Sequence, residues 1–134
     1  MLTTLLLDVD GVLLVPAGSL RPNEELLAAL PRLAVDGVYL VTNQNPQRAA
    51  VIRELLGDRP GISGVLVSYE LGFLKPQPEF FARALAQIGR TPGECLFVDD
   101  KPGYVAGGTA AGIDSVLFRD NAQLFDLLRE RGLR

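Results

Sequence analysis

Leu5-Leu6-Leu7-Asp8-Val9-Asp10-Gly11 joins an unbroken apolar run to two acids and a glycine. Consecutive leucines with no polar alternation suit a strand buried on both faces, the kind found in parallel sheets covered by helices. Acids at the C-terminal end of such a strand stand where open α/β sheets bind their ligands. If the strand conformation continues to Asp10, its period of two sends Asp8 and Asp10 toward one region and Val9 away from it. Two carboxylates so close repel, and one is pushed toward protonation unless a cation sits between them, so a metal, a lysine or both is expected. Gly11 lets the chain turn sharply and lets a ligand approach with no Cβ in the way.

Outward from this run the chain alternates apolar segments of two periods. Leucines 26, 27, 30 and 33 predict a helix over residues 22–36, opened near Pro22 and kinked or split by Pro31. A strand at Val38–Val41 ends in Thr42-Asn43-Gln44-Asn45, and Pro46 opens a helix through Leu56 that Gly57 closes. The short strand Val65–Val67 leads through Ser68-Tyr69-Glu70 to Leu74-Lys75-Pro76. The helix from Pro78 to Ile88 presents Phe80, Phe81, Ala84, Leu85 and Ile88 as a core stripe. Thr91-Pro92 makes a turn into strand Cys95–Val98, which ends in Asp99-Asp100. A helix over Tyr104–Ala111, weakened by Gly107 and Gly108, a strand over Ser115–Phe118 and a last helix capped by Asn121 complete the pattern. Five strands separated by helical segments predict a three-layer, Rossmann-like α/β domain with a mainly parallel sheet in the order 5-4-1-2-3. Asp8/Asp10, Thr42/Asn43, the 68–75 stretch and Asp99/Asp100 then converge on one sheet edge.

Composition narrows the chemistry. At 134 residues one domain over 1–134 is expected, and the apolar content of 48% supports a packed core. A net charge of −3 supplies no basic footprint for nucleic acid. The single cysteine, Cys95, forms no internal disulfide and sits in an apolar run as a small hydrophobe. Neither a leader segment nor a membrane span is legible, so a cytoplasmic location is expected. The chain has no histidine, which excludes histidine triads, histidine acid/base catalysis and the commonest zinc ligand. Acids, lysine, hydroxyls and a hard metal remain. Arg48, Arg53, Arg83 and Arg129 read as surface charges on helices.

Asp-x-Asp-Gly after the first strand, Thr-Asn after the second, Lys-Pro before a helix and Val-Asp-Asp after the fourth strand occur in an order that resembles the haloacid dehalogenase-like (HAD) superfamily, from Leu5 to about Phe118. The resemblance implies a Mg²⁺-dependent phosphomonoester hydrolase. Asp8 would be the nucleophile that forms an aspartyl phosphate, and Asp10 the general acid and then base. Thr42 and the Asn43 backbone amide would bind the phosphate, and Lys75 would offset charge on the nucleophile and the phosphoryl group. Asp8, the Asp10 carbonyl and Asp100 would hold Mg²⁺, with Asp99 as a further ligand or a support.

The chain departs from the family pattern where relatives carry a supporting serine and an Asn or Asp, at Lys101 and Tyr104. Only 31 residues lie between Asp10 and Thr42 and 32 between Thr42 and Lys75, too few for a cap domain. An open site implies a bulky phosphorylated substrate, small molecule or phosphoprotein, or a homo-oligomer whose neighbour covers the site. The alternatives are a weak or inactive HAD-like binding module and a receiver-type signalling domain. The receiver is disfavoured because its phosphorylated Asp follows the third strand, where this chain has none.

Overall fold

The structure, a computed structural model, describes Met1–Arg134. Its sheet is built from β1 (Thr4–Leu7), β2 (Gly37–Thr42), β3 (Gly64–Val67), β4 (Cys95–Asp99) and β5 (Asp114–Leu117), all parallel in the order β3-β2-β1-β4-β5. This is the expected order read from the other edge. The helices are α1 (Glu24–Ala29), α2 (Pro46–Leu56), α3 (Ser68–Leu71), α4 (Pro78–Ile88), α5 (Pro102–Ala110) and α6 (Asn121–Glu130). No helix is long and apolar enough to cross a membrane.

The apolar strands distribute their side chains to two cores by the period of two. Leu5 and Leu7 of β1, Val38 and Leu40 of β2, and Leu96 and Val98 of β4 enter the larger cluster with Leu26, Ile52, Leu124 and Leu128 from the helices. Leu6, Val41, Cys95 and Phe97 point the other way, against Phe80, Phe81, Ala84 and Leu85 of α4. Both faces are therefore dry, which is why β1 needs three leucines in a row. Burial pushes the Cys95 thiol up to about 11, so it packs as an apolar group.

Several boundaries differ from the sequence expectations for local reasons. Strand β1 stops at Leu7, and the backbone of Asp8 makes one further bond, to the Val98 carbonyl at 3.0 Å. Pro31 does split the first helix, since α1 passes into a 3₁₀ turn over Leu30–Arg32. Residues 68–71, to which the sequence pattern assigns no element, form a helical turn. Asp120, not Asn121, caps α6: its carboxylate accepts from the Gln123 N–H at 2.8 Å. The Asn121 amide is already committed to Asn23, the cap of α1, at 2.8 Å.

Helix α5 has glycine at 103, 107 and 108 of its nine residues. A Cβ on Gly107 would come within 2.6 Å of the Pro76 Cβ and 2.9 Å of the Pro76 carbonyl oxygen. Glycine there is a packing requirement: it lets α5 lie directly on the segment that carries Lys75.

No domain is inserted between β1 and β2, where a loop, α1 and the 3₁₀ turn suffice. None is inserted between β3 and β4, which α3 and α4 join.

Candidate active site

Strand ends β1, β2 and β4 are neighbours in the sheet, so the residues that follow them meet at one place. Lys75 reaches in from the loop before α4 with its side chain 1% exposed. Its ammonium donates to Asp8 Oδ1 at 2.8 Å, Asp99 Oδ2 at 2.8 Å and the Val41 carbonyl at 2.9 Å. All three N–H bonds are thereby used, which is what a buried ammonium requires. Asn43 fixes the lysine backbone from both sides: its Nδ2 donates to the Lys75 carbonyl at 3.1 Å, and its Oδ1 accepts from the Lys75 N–H at 2.9 Å.

Asp99 is fully buried and has both oxygens engaged, Oδ2 by Lys75 and Oδ1 by the Lys101 N–H at 3.0 Å. Asp100 is different: its Oδ1 is buried without a hydrogen-bond partner. Beside it, Gly11 has φ +86°, and a Cβ there would overlap the Asp100 carboxylate. The glycine thus serves a close approach as well as a turn. Oxygens of Asp8, Asp99 and Asp100 lie within 4.8 Å of one another, three acids against one lysine. An orphaned carboxylate oxygen in a set of hard oxygen donors with excess negative charge fits a small divalent cation.

The Asp10 side chain lies outside this cluster. β1 ends at Leu7, and the two side chains take separate protein cations, Asp8 the Lys75 ammonium and Asp10 the Arg48 guanidinium. Asp10 Oδ1 accepts from the Gly18 N–H at 2.9 Å and from Arg48 Nη2 at 2.8 Å, and Oδ2 accepts from Gln44 Nε2 at 2.7 Å. Arg48 is therefore a site residue, contrary to its reading as a surface charge. It also donates to the Ser19 carbonyl at 3.1 Å, tying α2 to the loop after β1. Gln44, likewise not singled out in the sequence, donates to Thr42 Oγ1 at 3.0 Å as well. Thr42 is buried at the same edge. Tyr104, at a position where a supporting polar residue was expected, lays its ring 5.2 Å from both Lys75 Nζ and Lys101 Nζ, and its hydroxyl accepts from Asn43 Nδ2 at 3.4 Å.

These surroundings push the two carboxyls of the first motif apart. Burial raises Asp8 to about 7, with Lys75 pulling down and the Asp99 charge adding to the rise. Asp100 is raised as well, first by burial. Burial would also raise Asp10, but the Gly18 N–H, the Gln44 amide and the Arg48 guanidinium outweigh it and hold this carboxyl below its usual range.

A parallel sheet with this acid–lysine cluster at the ends of its central strands defines the class. The chain belongs to the haloacid dehalogenase-like hydrolases, whose family model matches residues 3–112. Among curated proteins it is 31% identical to the sesquiterpene phosphatase astK of Aspergillus oryzae over 78% of this chain and 54% of that one. It is 35% identical to a phosphoserine phosphatase of Thermus thermophilus over 72% of this chain and 39% of that one. The chain thus spans about half the length, or less, of these relatives. Among solved structures, a protein of Corynebacterium glutamicum aligns over 100% of this chain and 98% of its own, at 29% identity and TM-score 0.77. A HAD family enzyme of Bacteroides thetaiotaomicron, solved with magnesium and inorganic phosphate, aligns over 76% of this chain and 56% of its own, at 25% identity and TM-score 0.64.

Proposed function

We propose that the chain, acting as one domain over residues 1–134, hydrolyses phosphate monoesters of small molecules with Mg²⁺ and an aspartyl-phosphate intermediate on Asp8. The observation that carries this reading is the buried Lys75 bridge between Asp8 and Asp99 beside the unpartnered oxygen of Asp100. The phosphatase relatives and the magnesium-bound neighbour support it.

Asp8 and Asp100 would hold the metal with the Asp10 carbonyl, and Asp99, its oxygens already taken, would support Lys75. Bound there, Mg²⁺ supplies charge neutralisation for the acids and for the phosphate oxygens. In the first half-reaction an oxygen of Asp8 bonds to phosphorus while the ester P–O bond breaks, and Asp10 gives its proton to the departing alkoxide. In the second, the Asp10 carboxylate takes a proton from water, whose oxygen attacks phosphorus. The bond to Asp8 breaks and orthophosphate leaves. Lys75 keeps charge off the nucleophile throughout, and Thr42 with the Asn43 amide receives the phosphate. The deciding experiment is Mg²⁺-dependent turnover of 4-nitrophenyl phosphate by the wild type and by Asp8→Asn; undiminished activity in the variant overturns the assignment.

Arg48 supplies a separate check on Asp10. The first half-reaction needs Asp10 protonated, and Arg48 favours its ionised form. In Arg48→Gln the carboxyl moves up, so the limb where kcat/KM falls with rising pH shifts to higher pH. The shift is expected with an alkyl phosphate, whose leaving group needs the proton, and not with 4-nitrophenyl phosphate. Identical profiles for both enzymes on the alkyl ester would remove Arg48 from this role.

A further inference from the structure

Beside Gln44 the surface sinks into a cavity of about 770 Å³, walled by Gln44, Ser68, Tyr69, Phe73, Leu74 and Gln77 among others. The hollow is open to solvent and has room to seat a small organic group along one side. No Lys, Arg, Asp or Glu lines it. Two of the chain's few exposed large apolar side chains stand there, Tyr69 at 45% and Leu74 at 55% exposure. Gln44 belongs to both places, since its amide donates to Asp10 while its backbone N–H donates to Ser68 Oγ at 3.0 Å. The cavity therefore opens off the side of the site where Asp10 would meet a leaving oxygen.

We propose that this cavity receives the alcohol part of the ester, and that this alcohol is uncharged, with an apolar body and few hydrogen-bonding groups. The inference rests on the hydrolase reading above. A second phosphate or a carboxylate in the alcohol would meet no cation there and would lose water against the apolar side chains without a partner in return. An apolar body would instead cover Tyr69, Phe73 and Leu74, and the side-chain amide nitrogens of Asn45 and Gln77 suit a hydroxyl or two.

Benzyl, ethyl and 2-carboxyethyl phosphate are all esters of primary alcohols, so their comparison isolates the cavity. The expected order of kcat/KM is benzyl first, by about tenfold over ethyl, with the carboxylate last. Tyr69→Ala/Leu74→Ala removes most of the benzyl-to-ethyl ratio, while Val51→Ala, exposed on α2 outside the cavity, preserves it. Equal rates for benzyl and ethyl, preference for the carboxylate, or an unchanged ratio in the double variant overturns the proposal. Calorimetric titration with benzylphosphonate and ethylphosphonate, which carry no hydrolysable ester bond, separates the two readings. Tighter benzylphosphonate binding that the double variant loses, with no ester turned over, sustains the cavity and overturns the hydrolase. Turnover without a benzyl preference does the reverse.

Discussion

Asp8→Asn is expected, on the proposed role of Asp8 as covalent nucleophile, to lower kcat/KM on any phosphate monoester by roughly 10⁴-fold or more, since only binding and electrostatics would remain. The same change is expected to make the metal-free protein more stable. With the Asp8 carboxyl raised to about 7 from an ordinary 3.8, the folded state holds a proton that the unfolded chain releases between those values. Its contribution to stability is present below pH 4 and is lost as pH rises through about 7. Thermal melts of metal-free wild type and Asp8→Asn therefore coincide near pH 4, separate as pH rises to about 7 and stay apart above it, with the variant higher. If Asp8 holds Mg²⁺ as proposed, the metal is expected to add more to the melting temperature of the wild type at pH 8 than at pH 5, since it would bind the ionised acid. Parallel pH curves for the two proteins would refute the origin assigned to the shift.

Lys75→Met carries the second large effect, on the fold as well as on the chemistry. It leaves Asp8 and Asp99, 2.8 Å from the lost ammonium on either side, without a counter-charge. Removing one partner of a buried ion pair costs about 3–5 kcal/mol. For a chain of this size that is a fall in melting temperature of roughly 10–20 °C. Lys75→Arg does not restore it, since a planar guanidinium does not occupy the place of a compact ammonium that reaches three acceptors. Pairing Lys75→Met with Asp99→Asn recovers part of the loss, because one uncompensated acid is removed with the cation. A fall of only a degree or two in Lys75→Met would mean that Asp8 and Asp99 tolerate each other without it.

Acids and a lysine at strand ends were legible because apolar runs mark the strands, and parallel topology gathers their C-terminal ends. Asp8, Thr42, Asn43, Asp99 and Asp100 are placed by that logic, while Lys75, past β3 and α3 in the loop before α4, is brought in by the Lys-Pro step ahead of the helix. Arg48 escaped it because an arginine on a helix is a surface charge by default. The available signal was its position: Asn45 caps α2 with a bond to the Arg48 N–H, so Arg48 lies in the first turn after β2 and leans back over the sheet edge. Gln44 was hidden in a four-residue polar turn whose chemistry looks the same whether or not a carboxylate lies opposite. The separation of Asp8 from Asp10 depended on a strand ending one residue before the first acid, and strand ends are set by pairing with β2 and β4 rather than by the leucines themselves.

The glycines of α5 bear on how such a protein would fail when heated. Each glycine within a helix weakens it by about 1 kcal/mol relative to alanine, so this segment is kept helical by its neighbours more than by its own sequence. It is therefore expected to open before the central strands do. Its opening withdraws the support beneath Pro76 and slackens the loop that delivers Lys75. The proposed catalysis would then cease in molecules whose sheet is still intact, and the half-life of activity at a given temperature is expected to fall short of the half-life of the folded signal.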